Sequence, residues 1–90
     1  MVNNRHAILV VEDDASLRTM LSLSLRRAGY PTLTAADGLE ALALIETRPI
    51  GYLVTDGRMG PMDGFELSRR AKTLRPGLRI AMISSVFTEL

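Results

Sequence analysis

The stretch AILVVEDD, residues 7–14, decides the fold of this 90-residue chain. Its first five residues form an unbroken apolar run, which is typical of a strand buried on both faces of a parallel sheet. Three carboxylates follow that run directly. A second apolar run, Tyr52–Thr55, leads into Asp56 and a loop rich in Gly and Pro. Two buried strands are therefore predicted to deliver acidic side chains at their carboxyl ends.

Segments of helical period alternate with strands along the rest of the chain. Helices are predicted over residues 15–28, from residue 37 to before Pro49, and from residue 63 to about residue 74, and further strands over residues 32–35 and 79–84. Such alternation predicts right-handed crossovers and an α/β fold with a parallel sheet. A flavodoxin-like, doubly wound order, 2-1-3-4, places strands one and three side by side.

The spacing of residues along the chain is the basis for the predicted helices. The first helix carries its apolar residues at Leu17, Met20, Leu21, Leu25 and Ala28, and the second has helical spacing at Leu39, Leu42, Ala43 and Glu46. Asp63 is predicted to cap the third helix, which Pro76-Gly77 would end.

Composition narrows the function classes. The chain is 47% hydrophobic and 23% charged with a net charge of +1, which indicates one globular domain and no electrostatic footprint for nucleic acid. It has no cysteine, which excludes disulfides and thiolate zinc sites. The apolar run at residues 7–11 is too short for a signal peptide or a membrane span. We therefore expect a cytoplasmic protein that binds neither membrane nor nucleic acid.

The acidic residues predict a metal site. Because parallel strands end at the same edge of a sheet, Glu12, Asp13 and Asp56 are expected to converge there. Neighbouring carboxylates repel one another, and a bound cation relieves that repulsion. All-oxygen ligation by a few protein groups is the preference of Mg²⁺. An acidic triplet alone is more often a solvated turn or a helix N-cap. The prediction therefore rests on two apolar strands that each lead into carboxylates, with a Gly-rich loop after the second.

Two stretches, ILVVEDD at residues 8–14 and DGRMGPMDG at residues 56–64, resemble the signatures of receiver domains of two-component response regulators. The resemblance implies that Asp56 accepts a phosphoryl group and that Ser84 hydrogen-bonds a phosphoryl oxygen. It also implies Mg²⁺, with Mn²⁺ as a substitute, held directly by Asp13, Asp56 and the backbone carbonyl of Arg58. Glu12 would act through a bound water.

This resemblance implies a role in phosphorelay signal transduction. The phosphoryl group would come from a sensor histidine kinase or a phosphotransfer protein. The module would be a signalling phospho-acceptor, not an enzyme, and would catalyse at most its own phosphorylation and dephosphorylation.

The sequence departs from the family pattern in two places. Gly60 stands where proline is common, which is expected to loosen the loop after Asp56. Receiver domains also continue through a fifth strand, which carries a lysine, and two more helices. Residues 1–90 are therefore expected to form a receiver domain that is incomplete at its carboxyl end. The only lysine, Lys72, falls in the third predicted helix and cannot serve in that role.

Other functions stay open at this stage. Without the strand-five lysine, the chain could be a pseudo-receiver that acts as a protein-interaction module independently of phosphorylation. A nucleotide-binding α/β domain is disfavoured because no Gly-x-Gly-x-x-Gly or Walker lysine follows the first strand. An open edge at residues 79–84 predicts self-association, as a homodimer, or dependence on a partner.

Overall fold

The computed structural model describes residues 6–83, and within them three helices alternate with four strands. In chain order the elements are β1 (Ala7–Val11), α1 (Ala15–Arg27), β2 (Thr32–Ala35), α2 (Gly38–Thr47), β3 (Ile50–Asp56), α3 (Gly64–Leu74) and β4 (Arg79–Ile83). The predicted alternation is confirmed. β3 is longer than predicted, since it begins at Ile50 and includes Asp56 itself. Ser84, the predicted end of the fourth strand, lies outside the described residues.

The four strands form one parallel sheet in the order β2-β1-β3-β4, as predicted. β1 lies in the interior, and its residues Leu9, Val10 and Val11 are fully buried. Val11 is in register with Thr55, so the residues after β1 and the end of β3 emerge side by side. Within the described residues β4 is an edge strand, and self-association through it stays a prediction.

The two faces of the sheet are packed differently. On the face of α2 and α3, the core comprises Leu9, Val11, Ala35, Ala41, Ile45, Ile50, Leu53, Met62, Leu67, Ala71 and Leu78. On the opposite face Ile8 and Val10 are buried, whereas Tyr52 and Ala81, farther along the sheet, are exposed. The larger part of the burial that stabilises this fold therefore lies beneath α2 and α3.

Each helix begins with an aspartate cap at the carboxyl edge of the sheet. The side chains of Asp14, Asp37 and Asp63 accept hydrogen bonds from the backbone N–H three residues on, at 2.9, 2.8 and 2.8 Å. The predicted cap at Asp63 is confirmed. Negative charge at a helix N-terminus is favourable, so the caps stabilise the helices while adding acidic groups to this edge.

Not every residue of the helical spacing in α1 and α2 is buried. Met20 and Ala28 are exposed, and the buried residue of α1 is Ser22, whose hydroxyl donates to the Thr19 carbonyl at 3.0 Å. In α2, Leu39 is 70% exposed, and the buried positions are Gly38, Ala41 and Ile45.

The composition and packing of α2 explain why Leu39 is exposed. Apolar residues surround that helix on nearly every side, so their spacing does not select one face. Its rotation is set by packing, because Gly38 lies so close to Met62 that a Cβ there would come within 2.7 Å of the Met62 sulfur.

Arg75 ties the end of α3 to the segment between α2 and β3. Its guanidinium donates to the carbonyls of Arg48 and Ile50, both at 3.0 Å, and to that of Ile45 at 2.7 Å. These carbonyls lie 25 to 30 residues away in sequence. One planar fork of donors therefore satisfies three acceptors from α2 and β3.

Replacing Arg75 with alanine should lower the free energy of unfolding by about 2–3 kcal/mol, because charge-assisted hydrogen bonds to three carbonyls are lost. Urea denaturation measures the change. The matched control is Arg69→Ala on the same helix. Arg69 is 73% exposed and 4.0 Å from Glu66, so its removal should cost less than about 0.5 kcal/mol. Equal losses in the two variants would contradict the role given to Arg75.

Candidate metal site at the carboxyl edge of the sheet

The three carboxylates predicted to converge do so. Ligand oxygens of Glu12, Asp13 and Asp56 all lie within 4.8 Å of one another. Glu12 and Asp56 are each only 1% exposed, while Asp13 faces solvent. The parallel pairing of β1 with β3 brings them together, since it aligns the last residues of the two strands. The edge thus holds two buried carboxylates and one exposed carboxylate in a single cluster.

Backbone N–H groups hold the two buried side chains in place. The Asp14 N–H donates to Glu12 Oε2 at 2.9 Å, and the Arg58 N–H donates to Asp56 Oδ1 at 2.9 Å. The second oxygen of Glu12, Oε1, is buried and has no hydrogen-bond partner within residues 6–83. A buried carboxylate oxygen without a partner costs free energy, so this atom marks a place where a ligand would be stabilising.

The electrostatics of the cluster are unfavourable without a cation. Burial raises the pKa of Glu12 to about 6 from its ordinary value of 4.5. The backbone N–H of Asp14 opposes that rise, whereas Asp13 and the charge on Asp56 add to it. At neutral pH the fold therefore holds an ionised Glu12 against both desolvation and repulsion.

The donor set fits a hard divalent cation. All three side chains offer carboxylate oxygens, and a cation placed among them would relieve their repulsion and satisfy the orphaned Glu12 oxygen. Exposed Asp13 leaves one side open to water, which Mg²⁺ retains in protein sites. Glu12, Asp13 and Asp56 therefore form an acidic cluster that could hold a metal ion.

The loop after β3 depends on a close backbone approach at Gly64. A Cβ at Gly64 would lie 2.2 Å from the backbone oxygen of Asp56, and the Gly64 N–H donates to the Gly57 carbonyl at 3.3 Å. Only a residue without a side chain lets the start of α3 lie against the end of β3. From sequence, Gly64 was predicted only as part of the signature stretch at residues 56–64, with no role of its own.

Gly60 lies in open space in the loop after Asp56, and the loosening expected of it stays a prediction. A Cβ at this position would meet nothing within 4 Å. Among the described residues only Gly29 has a positive φ, so Gly60 needs no conformation reserved for glycine. The path of the loop therefore does not require glycine at position 60.

The remaining predicted residues are placed as follows. Arg58 contributes its backbone N–H to Asp56, and its side chain is exposed. Lys72 lies on α3, as predicted, and donates to the Pro76 carbonyl at 3.3 Å, at the other end of the helix from the acidic cluster. Ser84 follows Ile83, the last described residue, and its predicted contact falls outside residues 6–83.

Comparison with known proteins identifies the fold family. The model of the response regulator receiver domain family matches residues 8–89. The chain belongs to this family. Receiver domains are signalling modules of two-component systems, and they bind Mg²⁺ at an acidic pocket. In this receiver domain, residues 6–83 contain no helix long and apolar enough to cross a membrane.

Curated relatives include the response regulator receiver protein CpdR of Brucella abortus, 39% identical over 77 residues. That match covers 86% of this chain and 64% of CpdR. The alkaline phosphatase synthesis transcriptional regulatory protein PhoP of Bacillus subtilis is 36% identical over 78 residues, which cover 87% of this chain and 32% of PhoP. The chain thus spans less than two thirds of the length of these relatives.

Solved structures share the architecture. The chemotaxis protein CheY4 of Vibrio cholerae superposes with a TM-score of 0.84 at 33% identity, covering 92% of this chain and 71% of CheY4. A CheY-like receiver domain protein of Methanospirillum hungatei gives 0.85 at 31% identity, covering 92% and 66%. The flavodoxin-like order 2-1-3-4 predicted from sequence is therefore that of a receiver domain.

Gly64→Ala should destabilise the domain by roughly 2–3 kcal/mol, because the added Cβ collides with backbone that cannot rotate away. Gly60→Ala is the matched control in the same loop and should change the free energy of unfolding by less than about 1 kcal/mol. Urea denaturation of both variants gives the comparison. If Gly64→Ala were as stable as Gly60→Ala, the close approach would not constrain this loop.

The raised pKa of Glu12 predicts a pH effect in metal-free buffer. Since its pKa is higher in the folded protein, its contribution to stability is greatest below pH 4.5 and is lost as pH rises through about 6. Glu12→Gln should therefore exceed wild type in stability by about 1–2 kcal/mol at pH 7.5 and match it below pH 4.5. Denaturation across that range checks this, and Glu46→Gln, at an exposed position of α2, is the control for the loss of one carboxylate.

Proposed function

We propose that this receiver domain is a phospho-acceptor that takes a phosphoryl group onto Asp56 in the presence of a divalent cation. The observation that carries the proposal is the cluster of Glu12, Asp13 and Asp56, with its buried, unpartnered Glu12 oxygen. A purely structural set of helix caps would not need two buried carboxylates beside each other. A phosphoryl-transfer site does need them, because they hold the cation that phosphoryl chemistry requires.

Asp56 is the proposed nucleophile. A carboxylate oxygen of Asp56 bonds to phosphorus while the bond from phosphorus to the donor's histidine nitrogen breaks, and the electron pair of that bond stays on the imidazole. The Arg58 N–H, which donates to Asp56 Oδ1 at 2.9 Å, orients the carboxylate. Burial of Asp56 keeps water from competing with the donor.

The proposed ligands of the cation are Asp13, Asp56 and the backbone carbonyl of Arg58, with Glu12 acting through a bound water. Mg²⁺, or Mn²⁺ in its place, would supply positive charge that offsets repulsion between the carboxylates and the incoming phosphoryl group. Asp14 has a different task, since its carboxylate caps α1. The neighbouring carboxylates Asp13 and Asp14 therefore offer a direct comparison of the two roles.

Ser84 is proposed to hydrogen-bond a phosphoryl oxygen and to carry the change onward. The described end of β4 supports this, because Ile83 pairs with Asp56 and its carbonyl accepts from the Gly57 N–H at 3.0 Å. The proposed donor is a sensor histidine kinase or a phosphotransfer protein. One of the similar solved structures is the receiver domain of the hybrid histidine kinase CckA, 35% identical with a TM-score of 0.77.

With Mg²⁺ and a small phosphodonor such as acetyl phosphate, the chain should gain the mass of one phosphoryl group, labile to hydroxylamine as an acyl phosphate is. Asp56→Asn should abolish the gain because the nucleophile is lost. Asp13→Asn should reduce it strongly because a metal ligand is lost, and Asp14→Asn should change it little. Intact-mass spectrometry, with calorimetric titration of Mg²⁺, measures both effects.

Two outcomes would count against this function. A hydroxylamine-stable phosphate on a serine would contradict Asp56 as acceptor, and equal Mg²⁺ affinity in wild type and Asp13→Asn would contradict the site. Mg²⁺ binding without any gain in mass would instead favour the alternative, a pseudo-receiver that acts through protein contact alone.

A further inference from the structure

Arg18, in the second turn of α1, reaches back to the acidic edge. Its Nη1 donates to the backbone carbonyl of Glu12 at 2.8 Å, across six residues of sequence. The side chain is half-buried, and it contacts the backbone of Glu12. Arg18 therefore restrains the backbone at Glu12, the first residue after β1.

That loop is held from several sides. The Glu12 N–H donates to the backbone carbonyl of Ala35 on β2 at 3.1 Å, and the Asp14 N–H donates to the Glu12 carboxylate at 2.9 Å. Asp14 in turn accepts from Leu17 through its side chain at 2.9 Å. The hydrogen bond from Arg18 anchors the Glu12 carbonyl to α1, while β2 anchors the Glu12 N–H. Both backbone polar groups of Glu12 are therefore held.

We propose that Arg18 is a positioning residue that keeps Glu12 and Asp13 directed toward Asp56 for cation binding. This inference rests on the proposed function. Three carboxylates within 4.8 Å repel one another, and each would be better solvated if the loop turned outward to water. A restraint on the backbone is therefore needed to hold the cluster together while no cation is present.

The sign of the effect separates positioning from charge. A guanidinium beside a cation site disfavours a second positive charge, so on charge alone the removal of Arg18 should tighten Mg²⁺ binding. If Arg18 positions the loop, its removal should instead weaken Mg²⁺ binding. Arg18→Ala frees the Glu12 carbonyl, lets the loop relax outward and weakens binding, even though the site becomes more negative.

The same helix provides a matched control at its other end. Arg26 donates through Nη2 to the Thr32 carbonyl at 2.9 Å, also across six residues. Arg26→Ala thus removes one positive charge and one bond from guanidinium to carbonyl, as Arg18→Ala does, but far along α1 from the acidic edge. Any general loss of helix packing should appear in both variants.

The test titrates MgCl₂ into the 90-residue chain by calorimetry, in wild type, Arg18→Ala, Arg18→Lys and Arg26→Ala. We expect the Kd for Mg²⁺ to rise roughly tenfold in Arg18→Ala, as is usual when a group supporting a metal ligand is removed, and to change less than about twofold in Arg26→Ala. Arg18→Lys keeps the charge and one donor, so its Kd should lie between. An unchanged or lower Kd in Arg18→Ala would overturn the proposal.

Amide hydrogen exchange in metal-free buffer gives a second, independent readout. The Asp14 and Leu17 amides, which are bonded within this loop, should exchange several-fold faster in Arg18→Ala and at the wild-type rate in Arg26→Ala. If wild type fails to bind Mg²⁺, the proposed function fails, and exchange alone decides whether Arg18 positions the loop. If wild type binds but neither readout moves in Arg18→Ala, only this inference fails. Should Arg18→Ala not fold, Arg18→Lys carries both comparisons.

Discussion

The structure depends on holding three carboxylates together against their mutual repulsion. Parallel pairing of β1 with β3 places Glu12, Asp13 and Asp56 at one edge, and two of the three are removed from water. Their repulsion and the desolvation of Glu12 are costs that the rest of the fold must offset. The buried apolar residues of β1 and β3 supply most of that offset, the larger part of it on the face covered by α2 and α3.

Several contacts keep this edge from opening. Arg18 and the N–H of Asp14 restrain Glu12, while the close approach of Gly64 seats the start of α3 against Asp56. At the opposite end, Arg75 joins α3 to the carbonyls around Arg48. The acidic edge is therefore held by hydrogen bonds between residues near one another in sequence, and a cation bound there would offset the repulsion between its carboxylates.

The local pattern of the chain predicted most of the architecture. The apolar run of β1, the break at Pro49 and the cap at Asp63 are signals that neighbouring residues carry by themselves, so each element was located within a few residues. The alternation of strands and helices then left few topologies, because crossovers between parallel strands are right-handed. The convergence of Glu12, Asp13 and Asp56 followed from that topology alone.

The sequence by itself thus determined the elements, their order in the sheet and which carboxylates meet. Only the tertiary structure decided which side of α2 is buried, since its residues are apolar almost all round and the packing of Gly38 against Met62 sets its rotation. Likewise, the contacts of Gly64 and Arg75 carry no local signal. Arg75 donates to backbone carbonyls, and Gly64 leaves room for the backbone of Asp56. These backbone atoms come near only when the sheet and helices have packed.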